Sequence, residues 1–578
     1  MYRSHPEANR RYLPGTGILL LLFVGIGTNA ASAQTAPPAH SSAPPAPSDD
    51  IVAYLLDVRV NGWASGIVGR FRQQGSRLAI RADQFESIGF RSNPALVTKI
   101  GDVSWIALDR LPGVSWKIDA HTQSIEITAS PSLLKESDYK LGSRGYRVPS
   151  HSDWGAMLSY DIYGQWSPGS DGLYAPGLSA NLDTKIFSPH FTASSNGLLT
   201  VSGGQTRYVR LDSTIIFDSP DNSQSLRLGD SYTAGPSWVR TIRFGGVQWA
   251  RNFSLRPDIV TSPVAKLSQD VAVPSTVDLF VNGIRSYSQA VSPGTIRLDD
   301  LPVATGSNTV DMVITDQSGR RTEVSLPFYS SSQLLAAGMT DFDVEAGFPR
   351  LSYTSQSNDY GRLFASGTIS RGINDHLTLR GYVAATRGYE GGALGATMRI
   401  GSLGVFDGAV LASNANSGMG LGYYLGVEHV THSFSLSGSY THADSHYQDL
   451  ATTFDATAFT DQATASLGFH AGKVGNFNLA YVWSHKAGVT ASGIASATWR
   501  AQVGHRHGID LSISGYADTI DKGWGGVLSL SFQFGRNTRV YAQQSWRDNQ
   551  QIGSLQANGN SQDQRLTWQA EASQGGHG

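Results

Sequence analysis

The sequence predicts an all-β protein whose main part is a large transmembrane antiparallel β-barrel. The composition is the first indication, because only 16% of the 578 residues are charged, 64 are glycine, and mean hydropathy is −0.20. A multi-helix membrane protein is excluded, since each of its spans would need about 20 mostly apolar residues. The second indication is a series of alternating segments of about ten residues, which is typical of barrel strands. The third is a single interruption of that series by shorter strands, which predicts an inserted β-sandwich domain.

Charge and cysteine content exclude several functional classes. The 44 basic and 46 acidic residues leave a net charge of −2, and no basic stripe indicates a nucleic-acid partner. The chain has no cysteine, which excludes disulfides and thiol catalysis. No Walker A, H-E-x-x-H or nucleophile-elbow pattern is present, so we predict no enzyme activity, nucleotide, cofactor or metal. His442, Asp444 and His446 directly follow a predicted strand, and we interpret them as a polar loop.

The N-terminus has the three parts of a secretory signal peptide over residues 1–33. Arg10 and Arg11 form the basic region, and an apolar run follows from Gly17 to Gly27. That run is too short to span a bilayer. Small residues at 31–33 predict cleavage after Ala33, so the mature protein is expected outside the cytoplasm.

Two segments and a small domain are predicted before the barrel. Residues 34–50 are rich in Pro, Ala and Ser and indicate a flexible tail. Residues 51–130 predict a small β-rich domain, in which a strand ending at Val60 meets the hairpin turn Asn61-Gly62. Residues 131–150 are interpreted as a linker.

The barrel is predicted in two parts, residues 151–261 and 329–578. Apolar residues from Phe477 to Trp483 alternate with small or polar residues, and the segments 434–440, 509–514 and 528–534 do the same. The polar face is mostly small and uncharged, which favours a wet barrel interior over the outer face of a soluble sandwich. We expect about six strands before the insert and fourteen after it.

The insert is predicted over residues 262–328. Its short strands are separated by prolines, which are turn signals. Because barrel-like strands lie on both sides, the insert is expected to be a plug that can occupy the lumen.

At this point the chain resembles the outer-membrane ushers of the chaperone–usher pathway of pilus assembly. The resemblance is most specific between Ile242 and Phe348 and covers essentially the whole mature chain. Its motifs are Arg243 to Gln248 (RFGGVQ), Ala272 to Asp278 (AVPSTVD), Val281 to Gly283 (VNG) and Phe342 to Phe348 (FDVEAGF). The segment Asp57 to Gly62 resembles the start of the usher N-terminal domain, and the chain is most similar to the short ushers found beside spore-coat-U-like pilins.

The resemblance implies an outer-membrane location, a periplasmic N-terminal domain and a transport mechanism without nucleotide. Periplasmic chaperone–pilin complexes would bind the N-terminal domain, and pilus subunits would pass through the barrel after the plug moves aside. Apolar residues near the start of the domain are candidate chaperone–subunit contacts, with a strand-core role as the alternative: Ile51, Tyr54, Leu55 and Val58. Four residues are interpreted as plug linkers: Pro263, Pro274, Pro327 and Phe328.

Two features depart from the family pattern. Family barrels have about two dozen strands against the roughly twenty expected here, and the family's C-terminal periplasmic domains are not found. We therefore expect a truncated or split usher, and a non-functional truncated usher is one alternative. A passive porin-like channel is the other alternative.

Overall fold

The computed structural model describes residues 51–141, 153–168, 174–202, 204–301, 303–454, 456–486, 488–503, 508–520, 522–535, 537–547, 550–561 and 566–577. The predicted signal peptide (1–33) and tail (34–50) lie outside the described residues, as does part of the predicted linker.

The first domain is a seven-stranded sheet folded over its own apolar core. Strands β1 and β2 form a hairpin through Asn61 and Gly62, whose φ angles of 48° and 80° are those of the predicted turn. The sheet has the order β4-β5-β3-β2-β1-β7-β6. Its strands are β1 (Ile51–Val60), β2 (Trp63–Gln74), β3 (Arg77–Arg81), β4 (Val97–Ile100), β5 (Val103–Ala107), β6 (Ser115–Asp119) and β7 (Ser124–Thr128).

Helices are few and short in the described part of the chain. The one α-helix, α1 (Ala82–Phe85), covers the first sheet and buries Phe85. None of the described helices is long and apolar enough to cross a membrane. The 3-10 helices are Pro94–Leu96, Leu108–Arg110, Pro131–Leu133, Phe253–Leu255, Thr452–Phe454 and Gly472–Val474.

The predicted linker contains a strand that the sequence did not indicate. Strand β8 (Ser137–Lys140) follows the first domain and pairs with a strand of the insert rather than with its own domain. The connection between the first domain and the barrel is therefore partly structured.

Six barrel strands precede the insert, as expected. Each pairs with the next in an antiparallel ladder. They are β9 (Gly155–Pro168), β10 (Tyr174–Phe187), β11 (Thr192–Ser202), β12 (Gln205–Ser219), β13 (Gln224–Tyr232) and β14 (Arg243–Arg251).

The insert folds as two small sheets around one apolar core. The four-stranded sheet has the order β17-β16-β19-β20, and the smaller sheet has the order β15-β18-β8. Val277, Leu279, Val310 and Met312 are fully buried between them. The strands are β15 (Leu267–Val271), β16 (Ser275–Val281), β17 (Ile284–Val291), β18 (Gly294–Asp299), β19 (Gly306–Asp316) and β20 (Arg321–Ser330).

Fifteen barrel strands follow the insert, one more than expected, and the wall closes. Strand β21 pairs with β14, so the insert interrupts the sequence but not the ladder. The strands are β21 (Thr340–Pro349), β22 (Phe364–Asn374), β23 (Leu377–Thr386), β24 (Tyr389–Arg399), β25 (Val405–Ala415), β26 (Gly418–Val430), β27 (Phe434–Ala443), β28 (Asp461–His470), β29 (Asn476–Lys486), β30 (Val489–Val503), β31 (Ile509–Asp518), β32 (Trp524–Phe534), β33 (Thr538–Arg547), β34 (Gln550–Asn560) and β35 (Thr567–His577).

The described barrel has 21 strands, with β35 next to β9 at the closure. Because each strand from β9 to β35 pairs antiparallel with the next and the number of strands is odd, the first and last strands run in the same direction. The prediction of an all-β protein with a large closed barrel is confirmed. Closure matters because a barrel in lipid has no water with which to satisfy an open sheet edge.

The outer wall is apolar, which is what a bilayer requires. On β25 and β26 the side chains of Val410, Leu421 and Leu425 are 65%, 55% and 57% exposed, although each is large and apolar. Their neighbours Leu411 and Tyr424 alternate with them in sequence and are buried inside the barrel. Strands of 9 to 15 residues are long enough to cross the hydrocarbon layer when tilted.

Candidate functional site: the pore and its two mouths

The two mouths of the barrel carry different structures. We call the end where β9 starts and β14 ends the domain rim, since the first domain and the insert both attach there. The opposite end is the far rim, where the longer connections 233–242, 350–363 and 444–460 lie. The pore therefore has a folded-domain side and a loop side.

The insert contacts the barrel at the domain rim. The Val430 N–H donates to the Tyr329 hydroxyl at 3.0 Å, and the Arg399 side chain donates to the Tyr329 carbonyl at 3.0 Å. Both barrel residues lie at the domain-rim ends of their strands. Burial, with the nearby Glu428 carboxylate, raises the pKa of Tyr329 to about 12, so its hydroxyl stays protonated at neutral pH.

Of the four predicted linker residues, only Pro263 lies in a connection of the insert. Pro263 is buried in the leading connection between β14 and β15. Phe328 lies near the end of β20, in the insert's own core. Pro274 lies between β15 and β16, and Pro327 lies within β20, opposite Thr309.

The linker interpretation is therefore wrong for Pro274, Pro327 and Phe328. Strand β20 is an edge strand, where a missing N–H is tolerated, so a proline there does not mark a boundary. The connections of the insert are residues 252–266 and 331–339.

The predicted partner-binding residues divide between the two faces of β1. Ile51 and Leu55 are 54% and 63% exposed on the outer face. Tyr54 is half-buried against the domain core. Val58 is fully buried in that core, so its side chain cannot contact a partner of the folded domain.

A strap formed by residues 233–242, between β13 and β14, folds inward across the lumen. Trp238 is only 7% exposed and packs in one cluster with Phe244, Phe364 and Tyr382. A Cβ atom at Gly395 of β24 would lie 3.0 Å from the Trp238 ring. Because glycine has no side chain, the ring packs directly against the backbone of the inner wall at this position. The strap thus covers the inner face of the barrel.

A second far-rim connection, 444–460, holds the strap. The Arg240 guanidinium forms an ion pair with both carboxylate oxygens of Asp449. It also donates to the Thr457 carbonyl at 3.0 Å and to Thr452. Paired contacts of this kind between an arginine and a carboxylate fix the relative orientation of the two side chains and also stabilise their interaction.

The third far-rim connection, 350–363, also turns inward and forms a buried charge cluster. The Arg350 side chain is fully buried, donates to the carbonyls of Arg210 and Leu211, and lies 3.4 Å from Asp230. The Tyr360 hydroxyl donates to Asp230 at 2.6 Å. Burial and this carboxylate raise the pKa of Tyr360.

The inner face of β21–β26, which we call the covered wall, carries buried acidic side chains that accept hydrogen bonds. Glu345 is 1% exposed and accepts from Ser366 at 2.5 Å, while Asp343 accepts from Gln248 at 3.0 Å. On β25, Asp407 accepts from Thr397 at 2.9 Å. A polar cavity of about 520 Å³ remains beneath the strap, lined in part by Ser237, Asp341, Arg380 and Tyr424.

The inner face of β28–β35, which we call the open wall, is different. Residues that are paired across neighbouring strands point to the same side of the sheet. Tyr424 points inward and pairs with Thr441, so the register identifies the inward residues of each following strand. The inward residues there include many small side chains that are partly exposed: Thr464, Ser466, Ser496, Ser512, Ser514 and Ser529. Among the described residues no group of three His, Asp or Glu side chains could hold a metal.

Sequence reasoning did not find the strap. Residues 233–242 carry no periodic pattern, and a single tryptophan in a connection has no distinctive signal. The one available hint was the arginine Arg240 in a connection that is otherwise poor in charge, since buried or inward arginines are usually paired.

The fold and the inner wall together define a class: an outer-membrane pore with a folded insert and a globular domain on one mouth. A sequence model of the family described as "Usher: Outer membrane usher protein" matches residues 218–578. The chain belongs to the outer membrane usher family, and the resemblance found in the sequence is confirmed.

Curated relatives are similar over part of their length. The chain is 23% identical over 312 residues to outer membrane usher protein FocD of Escherichia coli, covering 53% of this chain and 35% of FocD. It is 25% identical over 387 residues to FaeD of Escherichia coli, covering 63% of this chain and 43% of FaeD. The chain thus spans less than half the length of these relatives.

A solved structure shares the fold. A cryo-EM structure of an E. coli P pilus tip assembly intermediate, PapC-PapD-PapK-PapG, matches with a TM-score of 0.58 at 16% identity. The match covers 91% of this chain and 69% of that chain.

Proposed function

We propose that this chain is the pore and periplasmic face of an usher, which receives chaperone–pilin complexes and passes pilus subunits outward. The observation that carries the proposal is the shared position of the first domain and the insert on one rim of a closed barrel. In this proposal the domain rim faces the periplasm and the far rim faces the cell exterior.

Family membership and the composition of the similar solved complex support these partners. The similar solved structure is described as a pilus tip assembly intermediate with PapD, PapK and PapG. The proposed activity is transport and assembly without catalysis. Energy would come from exchange of one subunit strand for another, a form of strand addition that needs no nucleotide.

The outer face of β1 is the proposed docking surface for the chaperone–pilin complex. Ile51 and Leu55 are large, apolar and exposed, and Val68 of β2 is 57% exposed opposite Asp57. Exposed apolar side chains on one face of a sheet are typical of an interaction site. Val58 is not included, because it lies in the core.

The test uses the full chain in the outer membrane of cells that supply a chaperone–pilin pair. The double variant Ile51→Asp with Leu55→Asp is expected to lose capture of the complex and surface pili, while barrel assembly by heat-modifiable mobility is unchanged. The matched control is Val97→Asp, which changes an equally apolar exposed residue at the far edge of the same sheet. Equal capture by the double variant and the unchanged chain would contradict the docking surface, and absence of capture by the unchanged chain would contradict the usher proposal.

A passive channel is the second candidate, favoured by the partly exposed open wall. A passive channel would conduct steadily whether or not a chaperone–pilin complex is present. An usher pore is expected to change its conductance when the complex is added to the periplasmic side.

A further inference from the structure

The segment after the first domain is built into the insert. Strand β8 pairs in parallel with β18, in a register that joins Ser137 to Ile296 and Lys140 to Asp299. The Leu141 N–H continues the contact by donating to the Asp299 carbonyl at 3.1 Å. Without β8, strand β18 would be an open edge of the small sheet.

Side chains of the segment also enter the insert core. Tyr139 and Leu141 are packed against the buried apolar cluster of the insert. The Tyr139 ring lies 6.4 Å from the Tyr287 ring of β17. The contact is therefore more than backbone pairing, because it completes an apolar core.

The first domain itself touches the insert beside this strand. The Asn61 side chain donates to the Ala272 carbonyl at 2.9 Å, and Arg91 donates to the Thr295 hydroxyl at 3.3 Å. Gly294 has a φ of 140°, and a Cβ atom there would lie 2.6 Å from the Lys135 carbonyl. Only glycine permits this close approach of the two chain segments.

We infer that residues 137–141 are the seventh strand of the insert and hold it at the domain rim, outside the lumen. The partner that fits the edge of β18 is thus this chain's own connection between the first domain and the barrel. An edge strand with unpaired N–H and C=O groups favours addition of an extended segment.

The pairing has a mechanical consequence. Entry of the insert into the lumen as a plug must either separate β18 and its core from β8 or carry β8 and the first domain along, because β8 continues directly from the first domain. A movement of the first domain therefore pulls directly on the insert. The inference rests on the proposed function only in treating the insert as a movable plug.

A disulfide tests the pairing in the full chain in the outer membrane. The chain has no cysteine, so two engineered cysteines form the only possible disulfide within one chain. Asp138 and Arg297 are exposed partners in the β8–β18 register, and the variant is Asp138→Cys with Arg297→Cys. Neighbouring strands lie within disulfide range, so efficient cross-linking is expected on oxidation.

The matched control is Asp138→Cys with Ser268→Cys. Ser268 of β15 pairs with Arg297 from the other side, so it lies two strands away from Asp138 in the same row. At roughly 10 Å the Cα atoms are too far apart, and we expect at least about tenfold less cross-linked product than with the first pair. Equal yields from the two pairs would overturn the inference.

The second readout is single-channel conductance in a planar bilayer. The cross-linked protein is expected to conduct without closing events, and reduction is expected to restore them. Closing events that persist in the cross-linked protein would overturn the restraining role of β8. Neither readout uses pilins, so a failure of pilus assembly leaves this result intact and is recognised separately.

Discussion

The covered wall and the open wall of the barrel have the same strand alternation but different inner faces. On β21–β26 the inward residues include Glu345, Asp407 and Tyr424, and all three are buried beneath the strap and the far-rim connections. On β28–β35 the inward residues include small, partly exposed side chains such as those of Ser496 and Ser512. Buried polar groups require hydrogen-bond partners, so the side chains of the covered wall determine which segments can pack on it, whereas hydroxyl groups that face water need no partner within the protein.

The largest effect is expected from removal of the side chain that anchors the strap. Trp238→Ala removes a ring that is 7% exposed, and such truncations cost about 3–5 kcal/mol where the cavity cannot collapse. The strap is expected to leave the covered wall, and single-channel conductance should rise. A matched control is Trp524→Ala, which removes a 54% exposed tryptophan of β32. Unchanged conductance in Trp238→Ala would show that the strap does not obstruct the pore.

A smaller effect is expected at the ion pair that ties the strap to 444–460. Arg240→Ala leaves Asp449 without its guanidinium partner. Hydrogen bonds to charged groups contribute about 1.5–3 kcal/mol, and we expect the lower end because a third of the Arg240 side chain is exposed. More frequent opening events are the expected result.

The control for this ion pair lies on the open wall. Arg539→Ala removes an exposed pair with Asp510 at 3.5 Å, and exposed pairs contribute little. The comparison of the two walls fails if Arg539→Ala raises the opening frequency as much as Arg240→Ala.

A still smaller, pH-dependent effect is expected at the start of 444–460. The N–H groups of Leu421, His446 and Tyr447 lower the pKa of Asp444 below its ordinary 3.8, with the Leu421 contact the largest cause. Because the folded pKa is depressed, the stabilisation is present above pH 3.8 and is lost as the pH falls through the lower folded value. Proteolysis of this far-rim connection should increase in that acidic window. Asp444→Asn should abolish the acid dependence, and an acid dependence that survives the substitution would disprove the assignment.

The smallest effect is expected on the open wall. Ser512→Ala removes a partly exposed hydroxyl, and substitutions at such positions change stability by about 0.5 kcal/mol or less. Conductance and thermal stability of the barrel should remain those of the unchanged chain. A large loss of stability would show that the open wall, too, is covered by part of the chain.

The barrel could be predicted from the sequence because the pattern that indicates a barrel strand lies within each strand. The alternation of side chains from Phe477 to Trp483 indicates lipid on one face of the strand and water on the other. Each barrel strand shows this pattern within its own sequence. The strands of the insert were found for a similar reason, since Val277 to Gly283 and Thr309 to Ile314 alternate between turn signals.

The rest depends on contacts between distant segments, which no local pattern records. Ser137–Lys140 is too short to be recognised as a strand, and its partner β18 lies more than 150 positions later. Pro327 suggested a boundary, but an edge strand accommodates it. Val58 was a candidate contact and a candidate core residue at once, and alternation alone could not decide which face of β1 is covered.

Thiol accessibility tests the central comparison most directly, because the chain has no cysteine of its own. Ser413→Cys places a thiol on the covered wall, where Ser413 is 3% exposed, and Ser512→Cys places one on the open wall. Val410→Cys, on the lipid face, is the control that should stay unlabelled. With a membrane-impermeant maleimide, we expect rapid labelling of Ser512→Cys and slow labelling of Ser413→Cys, because Ser413 lies against Gln448 of the 444–460 connection. Equal labelling rates at the two positions in the otherwise unchanged chain would contradict the account.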